Sequence, residues 1–186
     1  MIKGARRSIV AIAAALSLGV GGAAWAASAA SAASARPAIA VAECKSGQLA
    51  VWVSPDMGEG TAGSVVYPLE FTNISKHTCY LIGYPGVSAL NAKLVQLGSP
   101  AGRNSVLPSK AVVVAPGGTA SAVLQWVEVL NYPLSVCKPA QATELRVYPP
   151  DQKVYRDAFA SGLACSKKGP VYLSITRIEP GANLPS

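Results

Sequence analysis

The residues that could perform acid–base or nucleophilic chemistry are few in this chain of 186 residues. It contains a single histidine, His77, which lies between Lys76 and Thr78 in a polar segment. A catalytic histidine needs a reactive partner within hydrogen-bond distance, and a lone histidine in a turn is more typical of a structural or solvated side chain. A hydrolase that uses His77 is therefore the third of three functional hypotheses.

The other candidate motifs for catalysis are incomplete. The segment Gly86-Val87-Ser88-Ala89-Leu90 begins like the Gly-x-Ser-x-Gly elbow of serine hydrolases, but Leu90 replaces the second glycine. The acidic residues are scattered, so a pair of catalytic carboxylates could form only by tertiary approach. We find no Gly-rich phosphate loop and no calcium loop. The sequence predicts no catalytic residue, no cofactor and a protein that is not an enzyme.

Four cysteines are the clearest chemical signal: Cys44, Cys79, Cys137 and Cys165. Zinc ligands come in closely spaced pairs, whereas these cysteines are far apart, so two disulfides are expected and no metal site. Four cysteines allow three pairings, and the sequence does not choose among them. We favour Cys44–Cys79 and Cys137–Cys165 because each closes a loop of roughly thirty residues, as between neighbouring strands of a sandwich.

Four of the seven tyrosines directly precede proline: Tyr67, Tyr84, Tyr132 and Tyr148. Proline holds the preceding residue extended, so these rings either pack at strand ends or form an aromatic platform for a glycan or a peptide. The turn Tyr84-Pro85-Gly86 is the candidate binding surface. The long segment 91–108 is a candidate functional loop, because loops of this length are uncommon in compact domains.

The amino terminus has the pattern of an export signal. Lys3, Arg6 and Arg7 precede a strongly apolar stretch at residues 9–20, and Ala24-Trp25-Ala26 is a small-x-small cleavage site. An uncleaved membrane anchor is the competing interpretation. We expect a signal peptide at residues 1–26, a flexible Ala/Ser-rich leader at 27–42 and one domain at 43–182.

Cleavage changes the charge balance. The whole chain has 16 Lys and Arg against 9 Asp and Glu, a formal charge of +7, and cleavage removes three of the basic residues. The basic residues are not interleaved with aromatic ones, so no nucleic-acid partner is expected. We expect a mildly basic secreted protein with no membrane attachment after cleavage.

Short alternating stretches separated by glycine and proline predict an all-β domain. They are residues 49–53, 64–72, 78–83 with a continuation at 87–90, 111–114, 120–129, 145–148, 154–159 and 171–178. Ala115-Pro116-Gly117-Gly118 resembles the turn of a hairpin between 111–114 and 120–129. Pro68 indicates an edge or a bulge. The expected fold is an antiparallel immunoglobulin-like β-sandwich with two disulfides.

Several segments together resemble the secreted actinobacterial family called domain of unknown function 4232. The most specific is the run from Cys79 through Gly83-Tyr84-Pro85-Gly86-Val87, and others are Leu69-Glu70-Phe71-Thr72-Asn73, Pro116-Gly117-Gly118-Thr119-Ala120, Leu124-Gln125-Trp126 and Cys137-Lys138-Pro139. The resemblance covers essentially the whole domain and implies an immunoglobulin-like sandwich and the cysteine positions. It implies no catalytic residue.

The leading functional hypothesis is a secreted, non-enzymatic binding module of the cell envelope. Its partner would be a cell-wall polymer or a secreted protein. The alternative is an inhibitor of an extracellular protease, which would present a rigid loop braced by a disulfide.

Overall fold

The structure is a computed structural model that describes residues 41–54 and 58–182. The predicted signal peptide at 1–26 lies outside the described residues, and so does the predicted leader at 27–42 apart from its last two residues. Ala42, which the sequence places in that leader, is already in the first strand. Within the described part of the chain, no helix is long and apolar enough to cross a membrane.

The described residues form short strands and very little helix. The strands are β1 Ala42–Glu43, β2 Leu49–Val53, β3 Glu59–Thr61, β4 Ser64–Asn73, β5 Cys79–Leu81, β6 Gly86–Leu90, β7 Gly102–Arg103, β8 Val112–Val114, β9 Thr119–Val127, β10 Pro139–Tyr148, β11 Arg156–Cys165, β12 Leu173–Ile175 and β13 Glu179–Pro180. The 3₁₀ turns are Ser46–Gln48 and Val129–Asn131, and the one-turn helix α1 is Leu134–Cys137. The all-β prediction is confirmed.

Three sheets are present among these strands. The large sheet has the order β2-β4-β9-β12-β7, with β3 beside β4 and β13 beside β9. The second sheet is β11-β10-β6, and the third is β1-β5-β8. The prediction of a purely antiparallel fold is wrong, because β1 with β5 and β7 with β12 are parallel pairs. Strand β7 reaches β12 through long connections rather than a hairpin, so the chain is free to run parallel there.

The predicted hairpin at 111–129 is also absent. Strand β8 pairs with β5 in the third sheet, whereas β9 pairs with β4 in the large sheet. The intervening turn bonds to the end of β4, since Gly117 donates to the Asn73 carbonyl at 2.8 Å and Asn73 donates to the Gly118 carbonyl at 2.9 Å. The turn therefore carries the chain from one sheet to another.

The Asn73 side chain joins this turn to the next one. It is fully buried, and its amide nitrogen donates to the carbonyls of His77 at 2.8 Å and Val114 at 2.9 Å. Its amide oxygen accepts from the Ser75 hydroxyl at 2.7 Å. Although Asn73-Ile74-Ser75 matches the N-glycosylation sequon, both amide atoms of Asn73 serve the fold.

Pro68 lies inside the large sheet and not at its edge. Strand β4 pairs with β9 on one side and with β2 and β3 on the other. The Pro68 carbonyl accepts from the Ser54 amide at 3.2 Å, just beyond the end of β2. Because the nitrogen and carbonyl of a strand residue point the same way, the missing N–H of Pro68 faces the gap between β2 and β3 and costs no ladder bond.

One hydrophobic core joins the three sheets. Large side chains with almost no exposure include Leu69, Phe71, Leu124, Leu145 and Ile175. The buried disulfides are Cys44–Cys79 and Cys137–Cys165, which is the pairing that the sequence favours. Burial by these side chains supplies the main driving force for folding, and the disulfides restrict the unfolded chain.

Tyr172 is enclosed in the same core. Its hydroxyl donates to the Leu97 carbonyl at 2.8 Å, and burial raises the pKa of that hydroxyl above its ordinary value. Desolvation penalises the phenolate, so Tyr172 stays neutral wherever the fold is intact at moderate pH.

Candidate functional site

The candidate surface Tyr84-Pro85-Gly86 lies at one end of the second sheet. The Tyr84 hydroxyl donates to the Leu107 carbonyl at 2.9 Å. Gly86 pairs with Tyr148 across β6 and β10, so two of the four Tyr-Pro pairs meet here. The Tyr148 ring packs edge-on against Tyr155, with ring centres 5.8 Å apart. We call Tyr84, Tyr148 and Tyr155 the Tyr-Pro end.

The other two tyrosines of this set lie elsewhere. The Tyr132 hydroxyl is 3.4 Å from the Val171 carbonyl, and its ring packs against the core. Tyr67 lies on β4 in a groove described below. The four Tyr-Pro pairs therefore do not form one platform.

The segment 91–108 is largely anchored to the sheets. The Asn91 side chain accepts from the amides of Lys93 and Val95, and Gln96 forms a bridge with Leu90. Strand β7 then pairs with β12. Residues 104–108 form an exposed loop whose Leu107 and Pro108 carbonyls accept hydrogen bonds from Tyr84 and Arg177, and Val106 is 84% exposed.

His77 lies in an exposed turn. Its backbone carbonyl accepts from Asn73 and from the Ser75 hydroxyl. Among the described residues, no side chain forms a hydrogen bond or an ion pair with its ring. The described part of the chain also holds no group of three or more His, Cys, Asp or Glu side chains placed to bind a metal ion.

A groove lined by aromatic residues lies between the outer strands of two sheets. It has a volume of about 330 Å³ and is lined on β2 by Trp52 and on β11 by Phe159. Tyr67 from β4 and Trp126 from β9 form its floor. Trp52 is 55% exposed and Phe159 is 78% exposed, whereas Trp126 is 8% exposed. We call this feature the aromatic groove.

A second lobe extends the aromatic groove along β11. This lobe, of about 160 Å³, shares Tyr67, Trp126 and Ser161 with the first and reaches Leu163. The groove thus follows β11 from Phe159 to Leu163, about 13 Å at the usual rise per strand residue. An extended ligand fits this shape better than a compact one.

Hydrogen bonds from the indole N–H groups fix the orientations of Trp52 and Trp126. The Trp52 indole N–H donates to the Glu70 carboxylate at 2.6 Å, and the Ser54 hydroxyl donates to the other oxygen of the same carboxylate at 2.7 Å. Glu70 is only 3% exposed. The Trp126 indole N–H donates to the Leu163 carbonyl at 2.7 Å. Both tryptophans therefore have fixed orientations and satisfied N–H groups.

Two glycines make room for the floor rings. A Cβ at Gly162 would lie 3.1 Å from the Trp126 ring, and a Cβ at Gly58 would lie 2.5 Å from the Tyr67 ring. Such distances are below ordinary van der Waals contact. A side chain at either position would force the facing ring to shift from its place in the groove.

Polar groups line the same groove. The Tyr67 hydroxyl has no hydrogen-bond partner among the described residues. The Ser161 hydroxyl accepts from Gln141 at 3.1 Å, and one oxygen of the Glu128 carboxylate accepts from the Leu130 amide at 3.2 Å. No lysine or arginine among the described residues lines either lobe.

The sequence contains a signal for only part of this groove. Trp52 alternates with Val51 and Val53 in β2, which indicates a large ring on the face opposite the core. Nothing local indicates that Trp52 lies near Phe159, because β2 and β11 belong to different sheets. Of the four rings, only Tyr67 was a candidate from the sequence, as one of the four tyrosines that precede proline, and Trp52, Trp126 and Phe159 were not identified.

Comparison with known proteins identifies one family. Residues 44–177 match the family described as Domain of unknown function (DUF4232). No curated protein and no solved structure matches the chain. The matched range includes all four rings of the aromatic groove.

Proposed function

The chain belongs to the family described as Domain of unknown function (DUF4232), and we propose that this member is a secreted, non-enzymatic binding module of the cell envelope. We further propose that the aromatic groove is its ligand-binding surface. The observation that carries the proposal is an open groove lined by four aromatic residues, of which Trp52 and Trp126 are held by hydrogen bonds and Trp52 and Phe159 are well exposed. Fixed, exposed aromatic rings give contact area at little entropic cost on binding.

Secretion is supported by the disulfides together with the export pattern of residues 1–26. Disulfides persist in oxidising compartments outside the cytoplasm. The immunoglobulin-like description is likewise a proposal for the arrangement of the three sheets, supported by the short strands and by a core that joins all three.

A binding role without catalysis is supported by the surroundings of His77. Its exposed ring has no hydrogen-bonded partner among residues 41–54 and 58–182 that would orient it as a base. A His77→Ala variant should therefore equal the natural chain in any hydrolysis measured with the purified protein. A loss of activity in this variant alone would establish the hydrolase hypothesis instead.

The proposal can be tested by retention on isolated cell envelopes. The purified secreted chain is mixed with washed envelopes of the producing cells, and the sedimented fraction is measured. Phe159→Ala should lower retention about tenfold, because the loss of one well-used aromatic contact corresponds to about 1.4 kcal/mol. Val113→Ala is the matched control, since Val113 is an exposed apolar residue on β8 in another sheet.

Two results would contradict the proposal. Absence of retention for the natural chain would exclude an envelope-binding module. Equal retention of Phe159→Ala and the natural chain would exclude the aromatic groove as the ligand-binding surface. Tyr84, Pro85 and Gly86 would then be the remaining candidate surface.

The protease-inhibitor alternative is favoured by one observation. The loop at 104–108 presents Val106, and its carbonyls are held from within by the Tyr84 hydroxyl at Leu107 and by Arg177 at Pro108, 3.0 Å away. Rigid exposed loops bind protease clefts tightly because little ordering is needed. Titration against extracellular proteases should then show stoichiometric inhibition that Val106→Asp abolishes and Val113→Asp retains.

A further inference from the structure

We infer that the aromatic groove binds a neutral carbohydrate chain, an inference that rests on the proposed binding function. A sugar ring has two faces rich in C–H groups and an edge of hydroxyls. Its binding site must therefore combine exposed ring faces with a few hydrogen-bonding groups. The aromatic groove has both.

A ligand can contact ring carbon in the groove without competing for the indole N–H groups, because Glu70 and Leu163 already accept hydrogen bonds from them. Trp52 is 55% exposed, whereas Trp126 is 8% exposed and contributes only the part of its ring that lines the groove. Phe159 adds a third ring with no polar atom. A ligand gains contact with these rings without replacing any hydrogen bond inside the protein.

The hydrogen-bonding groups lie beside those faces. The Tyr67 hydroxyl, which bonds to no residue in the described part of the chain, can donate to or accept from a sugar hydroxyl, and the carboxylate of Glu128 can accept from one. Ser161 lies where the two lobes meet. A purely apolar ligand such as an acyl chain would cover the Tyr67 hydroxyl without offering it a hydrogen bond, and burying an unpaired hydroxyl is unfavourable.

The charged side chains that line the groove favour a neutral polymer over an anionic one. The described residues that line the groove include one carboxylate, Glu128, and no lysine or arginine. An anionic polymer would find no counter-charge in the groove and one repelling carboxylate, although the chain as a whole is basic. The groove therefore fits a neutral chain, and its extent along β11 fits more than one sugar unit.

Titration calorimetry with defined oligomers tests the inference. The probes are β-1,4-linked hexasaccharides of N-acetylglucosamine and of glucose, with an α-1,4-linked hexamer of galacturonic acid as the anionic probe and decanoate as the apolar one. We expect at least one neutral hexasaccharide to bind with a Kd below about 1 mM. Binding of the anionic hexamer should be at least about tenfold weaker.

Variants locate the binding site. Phe159→Ala should weaken binding of the neutral hexasaccharide about tenfold, and Tyr67→Phe about fivefold, whereas Val113→Ala should leave it unchanged. Because Phe159 is 78% exposed, its variant should fold even if a Trp52 variant does not. Equal melting temperatures of the natural chain and Phe159→Ala would verify this.

The possible failures are distinguishable. If neither neutral hexasaccharide binds, or if galacturonate or decanoate binds more tightly, the carbohydrate inference is wrong. Envelope retention that still depends on Phe159 would then leave the proposed function standing with another ligand. Binding of a neutral hexasaccharide that Phe159→Ala and Tyr67→Phe do not affect would also overturn the inference, because the site would lie elsewhere.

Discussion

The aromatic groove and the Tyr-Pro end both gather aromatic rings, but they direct the polar atoms of those rings differently. In the groove, the indole N–H groups donate to Glu70 and to the Leu163 carbonyl, and the Tyr67 hydroxyl bonds to none of the residues that the structure describes. At the Tyr-Pro end, the Tyr84 hydroxyl bonds to the loop at Leu107, and the Arg146 guanidinium lies 4.5 Å from the centre of the Tyr155 ring. The rings of the Tyr-Pro end are engaged by their own chain, whereas those of the groove are open to a ligand.

The comparison shows that the number of aromatic residues is a poor guide to a binding surface. The Tyr-Pro repetition is conspicuous in the sequence, yet Tyr84, Tyr132 and Tyr148 serve packing and loop anchoring, and only Tyr67 lies in the groove. The rings of the groove come from four separate strands and form no motif. What distinguishes the two regions is where each polar atom finds its partner.

The largest difference should appear when a ring is removed from the floor of the groove. Trp126→Ala should lower the free energy of unfolding by about 3–5 kcal/mol, because it leaves a cavity against Gly162 and an unpaired carbonyl at Leu163. Urea denaturation measures this value. Phe159→Ala, at the exposed wall of the same groove, should change it by less than about 0.5 kcal/mol. Equal losses of unfolding free energy in the two variants would mean that Trp126 and Phe159 contribute equally to the stability of the fold.

The next effect concerns the carboxylate behind Trp52. Glu70→Ala should destabilise the fold by about 1–3 kcal/mol, because the Trp52 indole and the Ser54 hydroxyl lose the acceptor that they share. Glu70→Gln keeps an amide oxygen as an acceptor for Trp52 and should cost about half as much. Thermal unfolding of both variants gives the comparison. If Glu70→Gln were as damaging as Glu70→Ala, the charge of Glu70 rather than its hydrogen bonds would be what matters.

Tyr172 provides a third environment for a tyrosine, fully enclosed, and predicts a dependence on pH. Since its pKa is raised in the folded state, its contribution to stability is complete below the unfolded value near pH 10 and is lost as the pH rises through the folded value. The loss should approach about 1.4 kcal/mol per pH unit above pH 10. Unfolding measured from pH 9 to 11.5 tests this. The free energy of unfolding of Tyr172→Phe should decline less over this pH range. Identical pH dependence in the variant and the natural chain would show that Tyr172 is not the group responsible.

The smallest effects come from a matched pair of hydroxyl deletions. Tyr84→Phe should cost about 1 kcal/mol and speed proteolytic cleavage of the loop at 104–108, because the bond to Leu107 is lost. Tyr67→Phe should change stability by less than about 0.5 kcal/mol, since its hydroxyl bonds to nothing in the described chain. Chemical denaturation with limited proteolysis distinguishes the two. A larger loss of stability in Tyr67→Phe than in Tyr84→Phe would contradict the assignment of Tyr84 to loop anchoring and of Tyr67 to ligand binding.

Much of the fold could be predicted from the sequence because strands have a local signature. Alternation in 49–53 and 64–72 identifies β2 and β4, and the cysteine spacing favours the pairing that is found. The hairpin prediction at 111–129 fails because a turn sequence does not reveal what its backbone groups bond to. Here Gly117 and Gly118 bond to Asn73 on β4, which places β8 and β9 in different sheets.

The candidate site was far less predictable. The outward direction of Trp52 follows from alternation, but the site also needs Phe159, more than a hundred positions later. Its formation depends on two strand edges lying side by side, and on Gly58 and Gly162 admitting the Tyr67 and Trp126 rings. These are tertiary distances, which local pattern and composition do not encode.

The positions of the tryptophans have one practical consequence. The chain contains three, and Trp25 lies within the predicted signal peptide. In the chain expected after cleavage behind Ala26, both remaining indoles, Trp52 and Trp126, line the aromatic groove. The ultraviolet emission of the mature protein would then come almost wholly from this surface, so the protein contains its own label-free optical reporter of whatever enters the groove.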